Sequence, residues 1–380
     1  MDPVFVVATV AKLLLMLAVA VGAFAPVLVW AERRQSAMMQ DRIGPTRAGF
    51  RLFGKEIRLA GLLHPLADAL KFIWKEDFVP PRADKLLHAL APIIALIPAI
   101  GALAIIPFGD ALFLEYWNEV LPRDGAIRGH VVDLQIASVN VGILYIFAIA
   151  GTGIIGAAIA GYASDNKYSL LGGLRAASQL VSYEVALGLT LVPMFMVFDT
   201  LRLEQMVRWQ YEHHLWGIFL NPLGFILFLT ASIAESKRIP FDVPEGESEI
   251  VAGYFTEYSG MKFGMFFMGE FIEVTVLAML VTTIFLGGWD VPFLYRSGFG
   301  LPGGATFLEL PHLAVVVIQF LAFLVKTVLV VFLQLQIRWT LPRFRYDQIM
   351  KLCWKGMLPG SLILILLYGA GILVWNQLFG

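Results

Sequence analysis

Long apolar runs recur along this chain, separated by shorter polar stretches. Each run has about 20 residues or more, enough to cross roughly 30 Å of hydrocarbon as a helix. The runs predict eight spans, near 4–30, 86–108, 132–160, 172–198, 215–234, 261–287, 312–337 and 357–378. They are continuous rather than alternating, which excludes a transmembrane β-barrel. The expected fold class is all-α, a polytopic membrane bundle forming one domain over 1–380. The third run is long enough to imply tilt or a break, with Gly151, Gly153 and Gly156 as the weak points. The first run is not preceded by a basic cluster and is long enough to span. It is expected to stay as the first helix rather than leave as a signal peptide.

Charge placement predicts orientation. The connections after the first, third, fifth and seventh spans hold 21 Lys and Arg, and the opposite connections and termini hold 5. The positive-inside rule then puts both termini on the periplasmic side. The first inner connection, 31–85, carries an amphipathic segment. Leu63, Leu66, Leu70 and Ile73 share one face, and Asp68, Lys71 and Lys75 another. That pattern suits a helix lying in the membrane interface, and it fits a helix packed on the bundle equally well.

Composition narrows the chemistry. The chain is 58% hydrophobic and 15% charged, far from a soluble domain of 380 residues. A net charge of −1 without a basic tail gives no sign of a nucleic-acid partner. One cysteine, Cys353, leaves no internal disulfide, cysteine-ligated cluster or structural zinc site to expect. No histidine falls in the middle of a span, so no haem is expected between helices. P-loop, dinucleotide, HExxH and GxSxG patterns are missing, so neither nucleotide chemistry nor a metal is expected in this chain.

What stands out is acid placed where a membrane bundle should be apolar. The stretch 235–258 reads ESKRIPFDVPEGESEIVAGYFTEY and holds six of the chain's 29 acidic residues. It lies in an inner connection, 235–260. A solvated surface is the plainer reading of a charge run. Here the acids are interleaved with the burying residues of IPFDVP and IVAGYF, which favours a packed loop. Pro240 and Pro244 keep its first part non-helical. Within the spans, Glu184 must be neutral, paired or next to water. Glu270 and Glu273 stand at i and i+3 on one helical face, too close to ionise easily together. Lys326, inside the seventh span, needs a partner, and Glu273 or Glu184 is expected on charge alone.

Six motifs in order carry a resemblance. They are ERR at 32–34, DRIGPTRAG at 41–49, PLADALKFIWKEDFVP at 65–80 and NKYSLLGGLRAASQLVSYE at 166–184. The acidic loop through Gly264 and LPRFRYDQIMKLCWK at 341–355 complete them. Together they resemble the H-type membrane subunit of bacterial NADH–quinone oxidoreductase, the counterpart of mitochondrial NADH dehydrogenase subunit 1 in respiratory complex I. The resemblance covers nearly the whole chain. It implies a multi-pass subunit of a bacterial inner membrane, at the junction of the membrane and peripheral arms. Such a subunit lines a quinone tunnel and starts an acidic path into the membrane arm of a proton-translocating enzyme.

By motif match, Asp242, Glu245, Glu247 and Glu249 correspond to the family's junction-loop acids and Glu184 to the buried glutamate of SYE. With Glu257, Glu270 and Glu273 they are the expected proton-path and coupling residues. Glu76, Asp77, Glu235 and Arg238 are the expected quinone-tunnel residues. Quinone is the implied substrate, while NADH, FMN and iron–sulfur clusters belong to partner subunits. The implied partners are peripheral quinone-module subunits, small membrane-arm subunits and lipid. Thr46 departs from the asparagine common in this turn, and the connections 51–63, 109–131 and 288–311 look long. An equivalent subunit of a membrane-bound hydrogenase or of a ferredoxin- or F420-linked complex is the nearest alternative. A stand-alone transporter and a purely structural anchor are alternatives of other classes.

Overall fold

The computed structural model describes residues 3–52, 55–113, 131–296, 298–300 and 306–379. The chain opens with α1 (Pro3–Leu17), a π-helical segment and α2 (Ala25–Met39), which run on as one rod. A short hairpin of β1 (Phe50–Leu52) and β2 (Lys55–Ile57) precedes the amphipathic helix α3 (His64–Trp74). Next come α4 (Lys85–Ala102), the pair β3 (Leu112–Phe113) and β4 (Val131–Val132), α5 (Gly142–Ala163) and α6 (Lys167–Phe198). The helices α7 (Leu203–His213), α8 (Gly217–Leu220) and α9 (Pro222–Glu235) lead into the acidic loop. That loop holds one turn of helix, α10 (Glu247–Ile250), and ends at α11 (Gly260–Phe285). A small antiparallel sheet follows, of β5 (Leu294–Tyr295), β6 (Gly298–Gly300) and β7 (Thr306–Glu309). The chain closes with α12 (His312–Thr340), α13 (Tyr346–Leu352) and α14 (Leu358–Phe379).

Among the described residues, seven helical stretches are long and apolar enough to cross a membrane. The remaining expected span, the fifth at 215–234, is α9, only 14 residues long and entered through α8 and the Asn221 cap. Asn221 accepts the Gly224 N–H at 2.8 Å, so the helix starts cleanly before Pro222 can disrupt it. The bundle is organised around α11. Its most apolar window is 72% buried, far more than that of any other span. It packs on α2, α4, α9 and α12, so its all-round apolar surface is covered by protein rather than lipid.

Two expectations about the spans change. The third span begins at Gly142, not near 132, and α5 runs unbroken through Gly151, Gly153 and Gly156. The segment before it stays non-helical, with its backbone tied to groups outside it: Phe108 N–H donates to Leu134 O at 3.1 Å and Ala137 N–H to Ala104 O at 2.9 Å. Lys12 Nζ donates to Asp133 O at 3.1 Å and to Gln135 O at 2.7 Å. The glycines of α5 serve close packing instead of bending. A Cβ on Gly156 would meet the Ala95 backbone nitrogen of α4 at 2.7 Å.

Lys326 also finds a different partner. It donates to the carbonyls of Leu286 at 2.7 Å, Gly288 at 3.1 Å and Asp290 at 2.5 Å, and lies 4.5 Å from the Trp216 ring centroid. Glu273 and Glu184 are not involved, because the end of α11 offers unpaired carbonyls first.

Replacing Gly156 by Ala should destabilise the bundle by about 1–3 kcal/mol, because backbone must move. Gly153→Ala, whose Cβ would meet Pro98 Cγ at 3.8 Å, should be neutral. Thermal unfolding of the two purified variants distinguishes them, and equal midpoints would contradict the close α4–α5 contact.

Candidate functional site

The acid-rich loop and α11 build two charged clusters on either side of one turn. After α9 the backbone turns at Lys237, which adopts the left-handed conformation at φ 54°. A non-glycine residue there costs about 1–2 kcal/mol. The turn sends Lys237 and Arg238 to different sites.

Lys237 faces a cavity of about 70 Å³, room for several waters at about 10–15 Å³ each. Its polar wall is Glu184 of α6, Glu235 of α9, Lys237, Tyr254, and Glu270 and Glu273 of α11. Its other walls are the apolar sides of α4, α5 and α11. Gly151 of α5 makes room for Glu184, since a Cβ there would lie 3.1 Å from Glu184 Oε1. Lys237 Nζ lies 3.3 Å from Glu273 Oε2. The Tyr254 hydroxyl donates to Glu270 Oε1 at 3.2 Å. Glu235 is buried, and its Oε2 makes no hydrogen bond. Burial opposes the charge on Lys237, but Glu273, Glu270 and Glu235 more than offset it and hold the ammonium above the ordinary lysine range. Burial, reinforced by Glu270, pushes the Tyr254 phenol well above its usual value.

Arg238 faces the other way. It bonds Glu32 of α2 at 3.1 Å and stacks on Phe271, its guanidinium carbon 4.3 Å from the ring centroid. Arg338 of α12 takes the second Glu32 oxygen at 2.9 Å. One carboxylate is thus shared by two guanidinium groups, both largely buried. Next to this triad, Arg343 pairs with Asp242 at 2.7 Å. Burial still lifts Asp242 to about 6 against the pull of Arg343, with Glu270 adding to the rise. Glu245 is pushed well above the carboxylate range by burial first, then by Glu270 and Asp242, with Arg238 opposing. Its hydrogen bond with Glu270 favours the protonated form further.

The expected site residues therefore divide. Glu184, Glu235, Glu270 and Glu273 share the cavity, with Glu235 there rather than beside Arg238. Asp242, Glu245 and Arg238 form the adjoining cluster. Glu245 lies outside α10, so it does not share a helical face with Glu249. Glu249 instead pairs with Arg175 at 2.6 Å on the exposed side. Glu257 accepts from Asn166 Nδ2 at 2.7 Å, tying the loop's end to the start of α6. Asp77 pairs with Lys262 at 2.8 Å, and Glu76 is exposed. The Glu247 side chain lies outside the described residues. The long connections 51–63, 109–131 and 288–311 also fall partly outside them.

Reading the sequence missed Lys237, Glu32, Arg338, Arg343 and Tyr254 as site residues. The signal available was charge at span ends, which topology alone already explained. Among the described residues no cluster of side chains could hold a metal ion.

Similarity to known proteins extends along almost the whole chain. The family described as NADH dehydrogenase matches residues 11–369. An H-type NADH-quinone oxidoreductase subunit of Geobacter metallireducens is 45% identical over 342 residues, 90% of each chain. The H-type subunit of Cytophaga hutchinsonii is 41% identical over 346 residues, 91% of each chain. NADH-quinone oxidoreductase subunit 8 of Rhodothermus marinus is 39% identical over 357 residues, 93% of this chain and 94% of that one. With a family match across almost its whole length and relatives of the same extent, this chain belongs to the NADH dehydrogenase family.

Proposed function

We propose that this chain is the membrane-arm subunit of a proton-translocating NADH–quinone oxidoreductase and that its acid-lined cavity couples quinone reduction to proton movement. The relatives' names support the first half. A single observation carries the second. Glu184, Glu235, Glu270 and Glu273 open on one small cavity inside the bundle, and Glu270 also reaches the loop cluster of Glu245 and Asp242.

Glu270 is the hinge of this reading. It accepts from Tyr254 on the cavity side and bonds Glu245 on the loop side. A change of charge near Arg238 and Glu32 would act on Glu245 and Asp242 across a poorly hydrated loop, where Coulomb energies are large. Glu270 would pass that change to Glu235 and Glu184 as a redistribution of protons. The quinone headgroup is reduced against partner subunits, which hold the FMN and iron–sulfur clusters. Arg238, Arg338 and Glu32 form the inner wall on the quinone side, with Asp77 and Glu76 nearer its entrance.

The exposed face of α3 supports an interfacial placement. Leu66, Leu70, Ile73 and Trp74 all point away from the chain, while Asp68 is held by Arg33 at 2.6 Å. That face lies in lipid of the bacterial inner membrane, beside the route by which quinone enters. The acidic loop faces the cytoplasmic peripheral arm, and both termini face the periplasm.

Glu270→Gln and Glu184→Gln should each lower quinone reductase activity and proton pumping of the assembled enzyme about tenfold, about 1.4 kcal/mol on the barrier. Normal activity and pumping in both variants would sink the cavity's role. Asp242 has a separate signature. Its favourable contribution to the folded loop is full below the ordinary aspartate range and is lost as pH rises through about 6. An infrared titration should therefore show a protonated carboxyl signal that disappears near 6 and is missing in Asp242→Asn. A midpoint in the ordinary aspartate range would contradict the buried placement.

A further inference from the structure

Lys237 is a cation placed among carboxylates by a backbone conformation that disfavours it. Its φ of 54° is one that glycine adopts freely, yet the position carries a long charged side chain. That side chain is buried, ends 3.3 Å from Glu273 Oε2, and lines the cavity. Facing it are Glu184 from α6, Glu235 from α9, Tyr254 from the loop, and Glu270 and Glu273 from α11, with Glu245 behind Glu270 in the adjoining cluster. The α4 and α5 walls contribute no titratable group. Arg238 and Asp242 lie on the far side of the turn, engaged with Glu32 and Arg343.

We propose that Lys237 and Glu273 are the fixed ion pair of the cavity, with Lys237 as the positioning residue that sets how many protons the remaining carboxylates share. The proposal rests on the coupling role given above to the cavity. Four carboxylates around so small a space would repel one another strongly if all were ionised. One ammonium in contact with one of them neutralises that one and draws on the others. Glu184, Glu235 and Glu270 are then left with a smaller common pool of protons. Among the described residues none of these three makes an ion pair, so their charge responds to Lys237 through space. The pair also spans two elements, the turn after α9 and the middle of α11. A shift of the acidic loop therefore changes the cavity's charge by moving the ammonium a short distance.

The test uses the purified, membrane-reconstituted enzyme complex carrying Lys237→Gln, Lys237→Arg, Glu273→Gln and the double change K237Q/E273Q. The pH profiles of quinone reduction and of proton pumping are read. Removing the ammonium lets the carboxylates keep protons to higher pH. Lys237→Gln should move both profiles to higher pH by about one unit. Lys237→Arg, which keeps the charge, should leave them in place. The double change removes both charges together and should restore the profile towards that of the unaltered enzyme. An unshifted profile in Lys237→Gln overturns the proposal, and so does a double change that adds the two single defects. If Lys237→Gln fails to assemble and the double change assembles, an uncompensated buried carboxylate is the cause, which supports the pair. If both fail, the pair is a structural clamp and the proposal falls. Glu270→Gln separates this idea from the cavity reading. A defective Glu270→Gln beside an unshifted Lys237→Gln removes the role of Lys237 alone, whereas normal behaviour in both removes the cavity's role.

Discussion

Burying charge inside a bundle that faces lipid is the constraint on which the rest of this structure depends. The penalty for an unmatched buried ion is several kcal/mol after all relaxation. Among the described residues on the inner side, the largely buried cations are matched. Arg238 and Arg338 share Glu32, Lys237 meets Glu273, and Arg343 meets Asp242. Acids outnumber these bases, and the surplus is held where water fits. Glu184, Glu235 and Glu270 open on the cavity, and Glu245 reaches Glu270 rather than lipid. A carboxylate with no cation and little water changes its protonation more readily than its position. The packing of α11 thus gathers a composition anomaly into one set of adjoining buried carboxylates, which on the proposed reading trade protons.

Connection between the two clusters comes from one side chain and one turn. The left-handed turn at Lys237 separates neighbouring cations, one towards the cavity and one towards α2 and α12. Glu270 rejoins what the turn divides, through Tyr254 on one side and Glu245 on the other. Phe271, next in sequence, lies under Arg238 and supplies an apolar floor there. On the proposed reading, a change of charge on the loop side reaches the cavity through Glu270.

Much of the fold was legible because hydrophobic length is a strong signal. The spans beginning near 86, 261 and 312 lie within a few residues of the observed helices. The errors share a physical origin. The start of the third span was misplaced because an apolar, β-branched stretch reads as helix, whereas groups distant in sequence, Lys12 and the Phe108 N–H, claim its carbonyls. Lys326 was assigned a carboxylate because charge pairs with charge in a sequence reading, whereas a helix end supplies carbonyls invisible at that level. The acids of the site could be listed from motif and position. Their division into a cavity set, a loop set and surface pairs could not, because it depends on which way the turn at Lys237 sends each side chain.

A further asymmetry bears on direction. At the ends of α5 and α11 away from the acidic loop, the two lysines inside spans bind backbone carbonyls. Lys12 holds the segment before α5, and Lys326 holds the turn after α11. Trp216 covers Lys326 and donates to Asp290 Oδ2 at 3.1 Å, completing a closed polar knot. A carbonyl carries no exchangeable proton, so these contacts pin the two turns through the backbone. On the proposed reading, the bundle is pinned at the outer ends of α5 and α11 and responsive at the inner end. That geometry suits a chain that starts a proton path rather than one that spans the membrane with it.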